Sequence, residues 1–221
     1  MKKRLPPHIF YDYDGTLGDS LPQHIRFLHD MNEKYEVGLN LPDSSDIPAC
    51  KKLIGMPMDV FIRNAGFPEE LVQRVLMMYE KTFGRNPKYA PKLFPGIRNM
   101  VKTLFELGFP QSIISSNFRR NFEPSLEKAE INPIFLHKIG RVELKAYNED
   151  KGRCMQDYSD RLQLPFPDFV YVGDAEADYQ AALRAEVRFV GSGYGWQISP
   201  DDTRFPSAKS PLELQEILMN L

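Results

Sequence analysis

The chain has 221 residues, of which 42% are hydrophobic and 26% are charged. This composition is typical of a folded globular protein and excludes disordered, collagen-like and coiled-coil classes. The formal net charge is only −2, and no block of basic residues occurs. These charges argue against nucleic acid and against an anionic membrane surface as partners.

The sequence also indicates where the protein resides. No apolar run approaches the roughly 18 residues that a membrane span needs. Residues 1–7 lack the apolar stretch of a signal peptide. The two cysteines, Cys50 and Cys154, are too few for a disulfide framework or a thiolate zinc site. We therefore predict a protein of the reducing cytoplasm, with no membrane partner.

The first half of the chain predicts one strand followed by helices. Residues 9–11 are β-branched and aromatic and end at the turn 12–15, which predicts a buried strand. Residues 22–35 and 69–83 carry apolar side chains at helical spacing. Residues 36–50 are rich in Asp, Ser and Pro and are predicted to be a loop. No strand signal occurs from about residue 18 to residue 93, so this stretch is predicted to be helical.

After residue 94 the pattern changes to alternating helices and strands. Short strands are predicted at 112–115, 169–172 and 188–191, and a final helix begins after the capping residue Ser210. This alternation predicts a parallel sheet with helices on both faces, and the first strand must join it. The predicted fold is therefore α/β: a doubly wound, Rossmann-like core formed by residues 1–17 and 94–221, with an inserted helical domain at 18–93.

Polar residues follow three of the predicted strands, at the edge where parallel sheets bind ligands. Asp12 and Asp14 end the first strand and face the same side, because they are two residues apart. Two carboxylates so close repel each other unless one is protonated or metal-bound, and hard oxygen ligands suit Mg²⁺. One carboxylate could attack phosphorus while the other transfers a proton. The residues that follow the other two strands are Ser115, Ser116, Asn117, Asp174 and Asp178.

Each of these residues also has an ordinary structural alternative. Residues 12–16 could be a capped turn, Ser116 and Asn117 could cap a helix, and Asp178 could be favoured by a helix dipole. Gly55 could belong to a loop that faces the substrate or to a simple turn. We favour a functional site because acids and hydroxyls occur together at three strand ends.

Three segments resemble motifs of the haloacid dehalogenase superfamily. Residues 10–20, FYDYDGTLGDS, closely resemble its first motif. Residues 113–117, IISSN, resemble the second motif, and residues 170–178, VYVGDAEAD, resemble the fourth. The order and spacing agree over nearly the whole chain. The chain resembles most the phosphoglycolate phosphatase-like branch, in which an α-helical cap closes over the core; the cap would be residues 18–93 here.

The resemblance implies a role for each matching residue. Asp12 would be the nucleophile that becomes an aspartyl-phosphate, and Asp14 would be the general acid and base. Asp178 would be a metal ligand or an acid just outside the metal's ligands. The implied metal ligands are Asp12, Asp14 through its main-chain carbonyl, Asp174 and Asp178. The implied phosphate-binding residues are Gly15, Thr16, Ser116 and Asn117.

The third motif of the family, a lysine, is less clear in this chain. Members often carry Lys-Pro at the head of the helix before the fourth motif, and no Lys-Pro occurs between Asn117 and Gly173. We favour Lys151, because it heads the predicted helix, over the alternative Lys145. The lysine would stabilise the charge of the transferred phosphoryl group.

Together these features predict a Mg²⁺-dependent phosphatase that hydrolyses a small phosphorylated metabolite, either phosphoglycolate-like or a sugar phosphate. The protein would be a monomer or a homodimer. The alternative is a phosphomutase of the β-phosphoglucomutase type on the same fold. Two other classes remain open, a phospho-accepting signalling domain and a catalytically silent binding module. The signalling domain is disfavoured because its acids are usually adjacent and no helical insertion follows its first strand.

Overall fold

The computed structural model describes residues 6–54, 57–162 and 168–221. Gly55 lies outside the described residues. The chain forms two compact units, Met1–Asp19 with Leu93–Leu221 and, separately, Ser20–Lys92. We call them the core unit and the helical unit. No helix among the described residues is long and apolar enough to cross a membrane.

The core unit contains a six-stranded sheet in which every pair of neighbours is parallel. The spatial order is β5-β4-β1-β6-β7-β8, and a separate two-stranded sheet pairs β2 with β3. Strand β1 is central and fully buried, which explains its continuous apolar sequence. The strands are β1 (His8–Tyr11), β2 (Gly18–Asp19), β3 (Lys92–Leu93), β4 (Gln111–Ile114), β5 (Phe135–Ile139), β6 (Phe169–Gly173), β7 (Arg188–Ser192) and β8 (Ser207–Ala208).

Helices cover both faces of this sheet. Side chains of β1 alternate between the faces, so that Ile9 and Tyr11 join one hydrophobic cluster and Phe10 joins the other. Helices α5, α6 and α10 pack on the first face, and α7, α8 and α9 pack on the second. The helices of the whole chain are α1 (Leu21–Lys34), α2 (Ile47–Lys51), α3 (Met58–Asn64), α4 (Glu69–Thr82), α5 (Ile97–Glu106), α6 (Arg119–Lys128), α7 (Arg141–Leu144), α8 (Lys151–Leu162), α9 (Glu176–Arg184) and α10 (Pro211–Met219).

The helical unit consists of α1 to α4 and a 3-10 turn at Pro87–Tyr89. Its interior contains aliphatic side chains and a group of packed rings. His24 of α1 stacks on Phe83 with the ring centroids 4.5 Å apart, and Tyr79 of α4 stacks on the same Phe83 ring at 4.5 Å. Phe27 meets Tyr79 edge to face. Such ring contacts add to the burial of apolar area and hold the long helices α1 and α4 together.

The structure confirms the predicted doubly wound α/β fold and differs from the sequence expectations in several local places. The stretch predicted as a loop, 36–50, contains the start of α2, whose N-cap Asp46 accepts a hydrogen bond from Ala49 N. Strands β5 and β8 have no counterpart among the predicted strands. The short strands β2 and β3 flank the helices in a stretch that carried no strand signal.

Candidate active site

The carboxyl ends of β1, β4 and β6 meet at one edge of the sheet. Tyr11 of β1 is in register with Ile113 of β4 and with Val172 of β6. Asp12 N donates a hydrogen bond to Val172 O at 2.8 Å, which continues the ladder one residue beyond β1. The residues that follow these three strands are therefore neighbours in space, as the sequence predicted.

Three buried aspartates form a cluster at this edge. Asp12, Asp174 and Asp178 each offer a carboxylate oxygen, and these oxygens lie within 4.8 Å of one another. We call these residues the acid cluster. The Oδ2 atom of Asp174 accepts a hydrogen bond from Trp196 N at 2.8 Å, which fixes the orientation of that carboxylate.

Lys151, the first residue of α8, reaches into the acid cluster. Its ammonium lies 3.0 Å from Asp12 Oδ1 and 2.7 Å from Asp178 Oδ1, and the side chain is 11% exposed. Burial opposes the positive charge, but Asp12 and Asp178 outweigh burial and hold the pKa of Lys151 above its ordinary value. Lys151 is therefore charged. Lys145 is exposed in the 3-10 turn Lys145–Tyr147 and does not belong to the cluster.

Burial and mutual repulsion raise the pKa values of two of the acids. Desolvation raises the pKa of Asp12 to about 7; Lys151 opposes this shift, and Asp178 and Asp14 add to it. Desolvation, followed by repulsion from Asp178 and Asp12, raises the pKa of Asp174 well above its ordinary value. One ammonium therefore does not compensate the negative charge of the acid cluster.

Both oxygens of Asp178 are already bound within the core unit. Its Oδ1 accepts hydrogen bonds from Lys151 Nζ at 2.7 Å and from the Tyr171 hydroxyl at 2.9 Å. Its Oδ2 accepts a hydrogen bond from Ala175 N at 3.2 Å. These contacts hold Lys151 in place against Asp178.

Asp14 lies beside the acid cluster and is hydrogen-bonded to Asn117, which follows β4. Its Oδ2 accepts a hydrogen bond from Asn117 Nδ2 at 2.8 Å, and the residue is only partly buried. The Oδ1 atom of Asn117 accepts hydrogen bonds from Phe118 N and Asn121 Nδ2, which fixes the amide. Asn117 therefore orients Asp14, a contact that differs from its predicted role in binding phosphate.

The other expected phosphate-binding residues have different surroundings. Ser116 is exposed at the carboxyl end of β4, whereas Ser115 is buried and its hydroxyl accepts a hydrogen bond from Asn117 N. The Thr16 hydroxyl is fully buried and shares a hydrogen bond with Ser192 Oγ at 3.0 Å. Thr16 thus contacts the protein where the resemblance implied a contact with phosphate.

Gly15 allows the turn after β1 to approach Asp174. Its φ of +75° is left-handed, and a Cβ at this position would lie 2.1 Å from Asp174 Oδ2. Any other residue would displace the carboxylate or the turn. The glycine therefore makes room for the acid cluster.

The profile of a known family matches most of the chain. The match is to the haloacid dehalogenase-like hydrolase family and covers residues 9–192, which include every aspartate described above. The chain belongs to this family. The predicted resemblance, and with it the prediction of a hydrolytic enzyme, is confirmed.

Curated relatives of this haloacid dehalogenase-like hydrolase share about a quarter of its residues. A phosphoglycolate phosphatase of Pseudomonas syringae pv. tomato is 25% identical over 201 residues, which are 87% of this chain and 71% of the relative. A phosphoglycolate phosphatase of Synechococcus elongatus is 25% identical over 188 residues, which are 85% of this chain and 84% of the relative.

Solved structures show the same fold. A predicted phosphatase from Clostridium acetobutylicum superimposes with a TM-score of 0.77 at 22% identity, over 99% of this chain and 100% of that one. A haloacid dehalogenase-like hydrolase from Streptococcus pneumoniae gives a TM-score of 0.75 at 18% identity, over 96% of this chain and 98% of that one.

Four residues of this hydrolase contact the site and had no predicted role. Tyr171 binds Asp178 from β6, and Ser192, Tyr194 and Trp196 contact the turn after β1 or Asp174. The position of Tyr171, three residues before Asp174 on a buried strand, was a usable signal, because its buried hydroxyl needs a polar partner. The contact of Trp196 is made by its main-chain amide, so the residue type at this position does not predict it.

Proposed function

We propose that the chain is a Mg²⁺-dependent phosphatase, which hydrolyses a small phosphorylated metabolite through an aspartyl-phosphate on Asp12. The observation that carries this proposal is the buried group of Asp12, Lys151 and Asp178, next to Asp174. A nucleophile, a fixed cation and additional oxygen ligands are the parts that phosphoryl transfer requires.

Asp12 is suited to attack phosphorus. It directly follows the central strand, and its Oδ1 is paired with a buried ammonium that favours the carboxylate over the acid. The same ammonium can bind an oxygen of the phosphoryl group once substrate arrives. In the first step an Asp12 oxygen bonds to phosphorus while the bond from phosphorus to the leaving oxygen breaks.

Asp14 is suited to move the proton in both steps. It is partly buried, held by Asn117 and adjacent to the nucleophile. A protonated Asp14 donates its proton to the leaving oxygen. In the second step the Asp14 carboxylate takes a proton from water, the water oxygen bonds to phosphorus, and Asp12 is released together with inorganic phosphate.

The acid cluster fits a divalent cation. Its three carboxylates and the Lys151 ammonium together carry two excess negative charges when all are ionised. Mg²⁺ bound there would balance this charge and polarise the phosphoryl group. Asp12, Asp174 and the main-chain carbonyl of Asp14 would hold it, and Asp178 would fix Lys151.

The names of the curated relatives support a substrate class. Two curated relatives carry the name phosphoglycolate phosphatase. We propose that the substrate of this chain is likewise a small phosphorylated acid, or a sugar phosphate. We further propose that the helical unit is the cap that selects the substrate and excludes water during the reaction. Cys50 and Cys154 are both free and buried, which supports a cytoplasmic location.

The proposal is tested with purified protein and p-nitrophenyl phosphate. Hydrolysis should require Mg²⁺, stop on addition of EDTA and release one inorganic phosphate per nitrophenol. A panel of phosphorylated acids and sugars then ranks the natural substrate class by kcat/KM. Phosphate transferred to a sugar without release would indicate a phosphomutase instead. Activity that is unchanged by EDTA would contradict the metal dependence.

A further inference from the structure

The segment that follows β7 connects two parts of the site that are distant in sequence. Residues 192–198, the last residue of β7 and the six that follow it, contact the turn after β1 and also the turn after β6; we call them the β7 loop. The contacts belong to the core unit and are made by short hydrogen bonds and by one close main-chain approach.

On the β1 side the β7 loop binds the turn that follows Asp12. The Tyr194 hydroxyl donates a hydrogen bond to Thr16 O at 2.9 Å. The Ser192 hydroxyl lies 3.0 Å from Thr16 Oγ1 and 3.4 Å from Gly15 O. Ser192 and Thr16 are fully buried, so these polar contacts have no competing water.

On the β6 side the β7 loop holds Asp174 at both its main chain and its carboxylate. Trp196 N donates to Asp174 Oδ2 at 2.8 Å, and Ile198 N donates to Asp174 O at 2.8 Å. Two backbone amides two residues apart therefore fix the position and the rotation of this acid.

Gly195 lies between these two sets of contacts. A Cβ on Gly195 would be 2.2 Å from Gly15 O and 2.6 Å from Asp174 Cβ. Both distances are far below van der Waals contact, so a side chain would push the β1 turn and Asp174 apart. The spacing of the turn after β1 and Asp174 thus depends on the absence of a side chain at Gly195.

We propose that the β7 loop is a positioning element that sets the spacing of Asp12 and Asp174 for one divalent cation, and that it acts through Gly195 and Tyr194. The inference rests on the proposed function, because it concerns the metal site of that function. Outer contacts that orient metal ligands typically change metal affinity 10- to 100-fold when they are lost.

The β7 loop itself supplies a matched control, Gly193. Neither Gly193 nor Gly195 has a left-handed φ, so the φ angle does not itself require glycine at either position. A Cβ on Gly193 would lie 2.4 Å from Pro200 Cα and 2.8 Å from Ser207 Oγ, away from the acid cluster. The two substitutions therefore cause comparable crowding, but only Gly195→Ala crowds the site.

The test is calorimetric titration of Mg²⁺ into metal-free wild type, Gly195→Ala and Gly193→Ala, with thermal unfolding of each. We expect the Kd for Mg²⁺ to rise about 10- to 100-fold in Gly195→Ala and to stay within twofold in Gly193→Ala. High Mg²⁺ should restore kcat in Gly195→Ala while the KM for p-nitrophenyl phosphate is unchanged. An unchanged Kd in Gly195→Ala, or an equal rise in both variants, overturns the inference.

A milder pair of variants decides the question if Gly195→Ala does not fold. Tyr194→Phe removes only the hydroxyl that donates to Thr16 O, and we expect a roughly fivefold higher Kd for Mg²⁺. The control Tyr147→Phe removes a hydroxyl that donates to Asp157 Oδ2, outside the site, and should leave the Kd unchanged. Equal values for the two variants overturn the inference. Absence of Mg²⁺ binding by the wild type contradicts the proposed function instead.

Discussion

The core unit and the helical unit each bury a basic side chain whose pKa shifts in the opposite direction: that of Lys151 rises in the core unit, and that of His24 falls in the helical unit. At the edge of the core sheet, Lys151 is paired with Asp12 and Asp178, and the ammonium keeps its charge. In the helical unit, His24 is buried against the rings of Phe83, Tyr79 and Phe61. Burial lowers the pKa of His24 to about 3, so its ring is neutral.

This difference shows how to distinguish a functional site from ordinary burial in a hydrophobic core. A buried charge persists only where another charge or a hydrogen-bond network compensates its desolvation. The acid cluster places several carboxylates close together, and these repel one another. Side-chain packing alone does not explain why they are buried side by side. The following changes test the contrast, from the largest expected effect to the smallest.

Asp12→Asn should abolish turnover, because the amide is not a nucleophile towards phosphorus. We expect kcat to fall roughly 10⁴-fold or more, measured with p-nitrophenyl phosphate and Mg²⁺. The substitution also removes one of three repelling carboxylates, so the unfolding temperature without Mg²⁺ should not decrease. Substantial remaining activity would show that Asp12 is not the nucleophile.

Lys151→Met should lower kcat by about 10²- to 10³-fold, the usual loss when a fixed stabilising group is removed from a developing charge. Lys145→Met is the matched control, since it removes the same charge from an exposed turn six residues earlier. Its kcat should stay within twofold of wild type. The assignment fails if the two variants behave alike.

His24→Phe should make the stability of the protein less sensitive to acid. The unfolded state protonates His24 near its ordinary pKa of 6.5, whereas the folded state resists protonation down to about 3. Stability is therefore lost as the pH falls through this window, by about 1.4 kcal/mol for each pH unit. Between pH 7 and pH 5, denaturant unfolding should show about 2 kcal/mol less loss in the variant than in wild type.

A second buried histidine, His8, does not affect this comparison, although burial lowers its pKa as well, to about 4. Its contribution is present in both wild type and His24→Phe and cancels in the comparison. Identical pH profiles of the two proteins would mean that His24 is not held neutral in the folded state.

Mg²⁺ should stabilise the folded protein through the acid cluster. At tenfold above its Kd, a ligand that binds only the folded state adds about 1.4 kcal/mol. Asp174→Asn should lose this increment, because it removes a ligand charge, while His24→Phe should keep it. The measurement is the Mg²⁺-dependent shift in the unfolding midpoint, and an undiminished shift in Asp174→Asn would place the cation elsewhere.

Much of the fold was predictable because strong local signals agreed with the topology. The apolar run of β1 and the alternation after residue 94 predicted a central parallel sheet, and the sheet is present. Strand β5 escaped prediction because its sequence, Phe135–Ile139, has polar residues in the middle and lies at an edge. Helix α2 escaped because its five residues are too few for a periodic pattern.

The part of the site that directly follows the parallel strands was predictable from the sequence. Asp12 and Asp174 meet because the carboxyl ends of parallel strands share one edge, and Lys151 joins them at the start of α8. The burial of Thr16 was not predictable, because it depends on Ser192, which is far away in the sequence. Contacts made by backbone amides, such as that of Trp196, are set by the path of the chain.

The position of β1 between β4 and β6 has a consequence for synthesis on the ribosome. Strand β1, which Asp12 directly follows, is translated before both neighbouring strands and before Lys151, whose charge balances that of Asp12. Closing such long-range pairings is slow relative to local helix formation. The nascent chain therefore has no assembled acid cluster until β6 and α9 have left the exit tunnel. A chaperone that bound β1 before then would act on the segment next to Asp12, the proposed nucleophile.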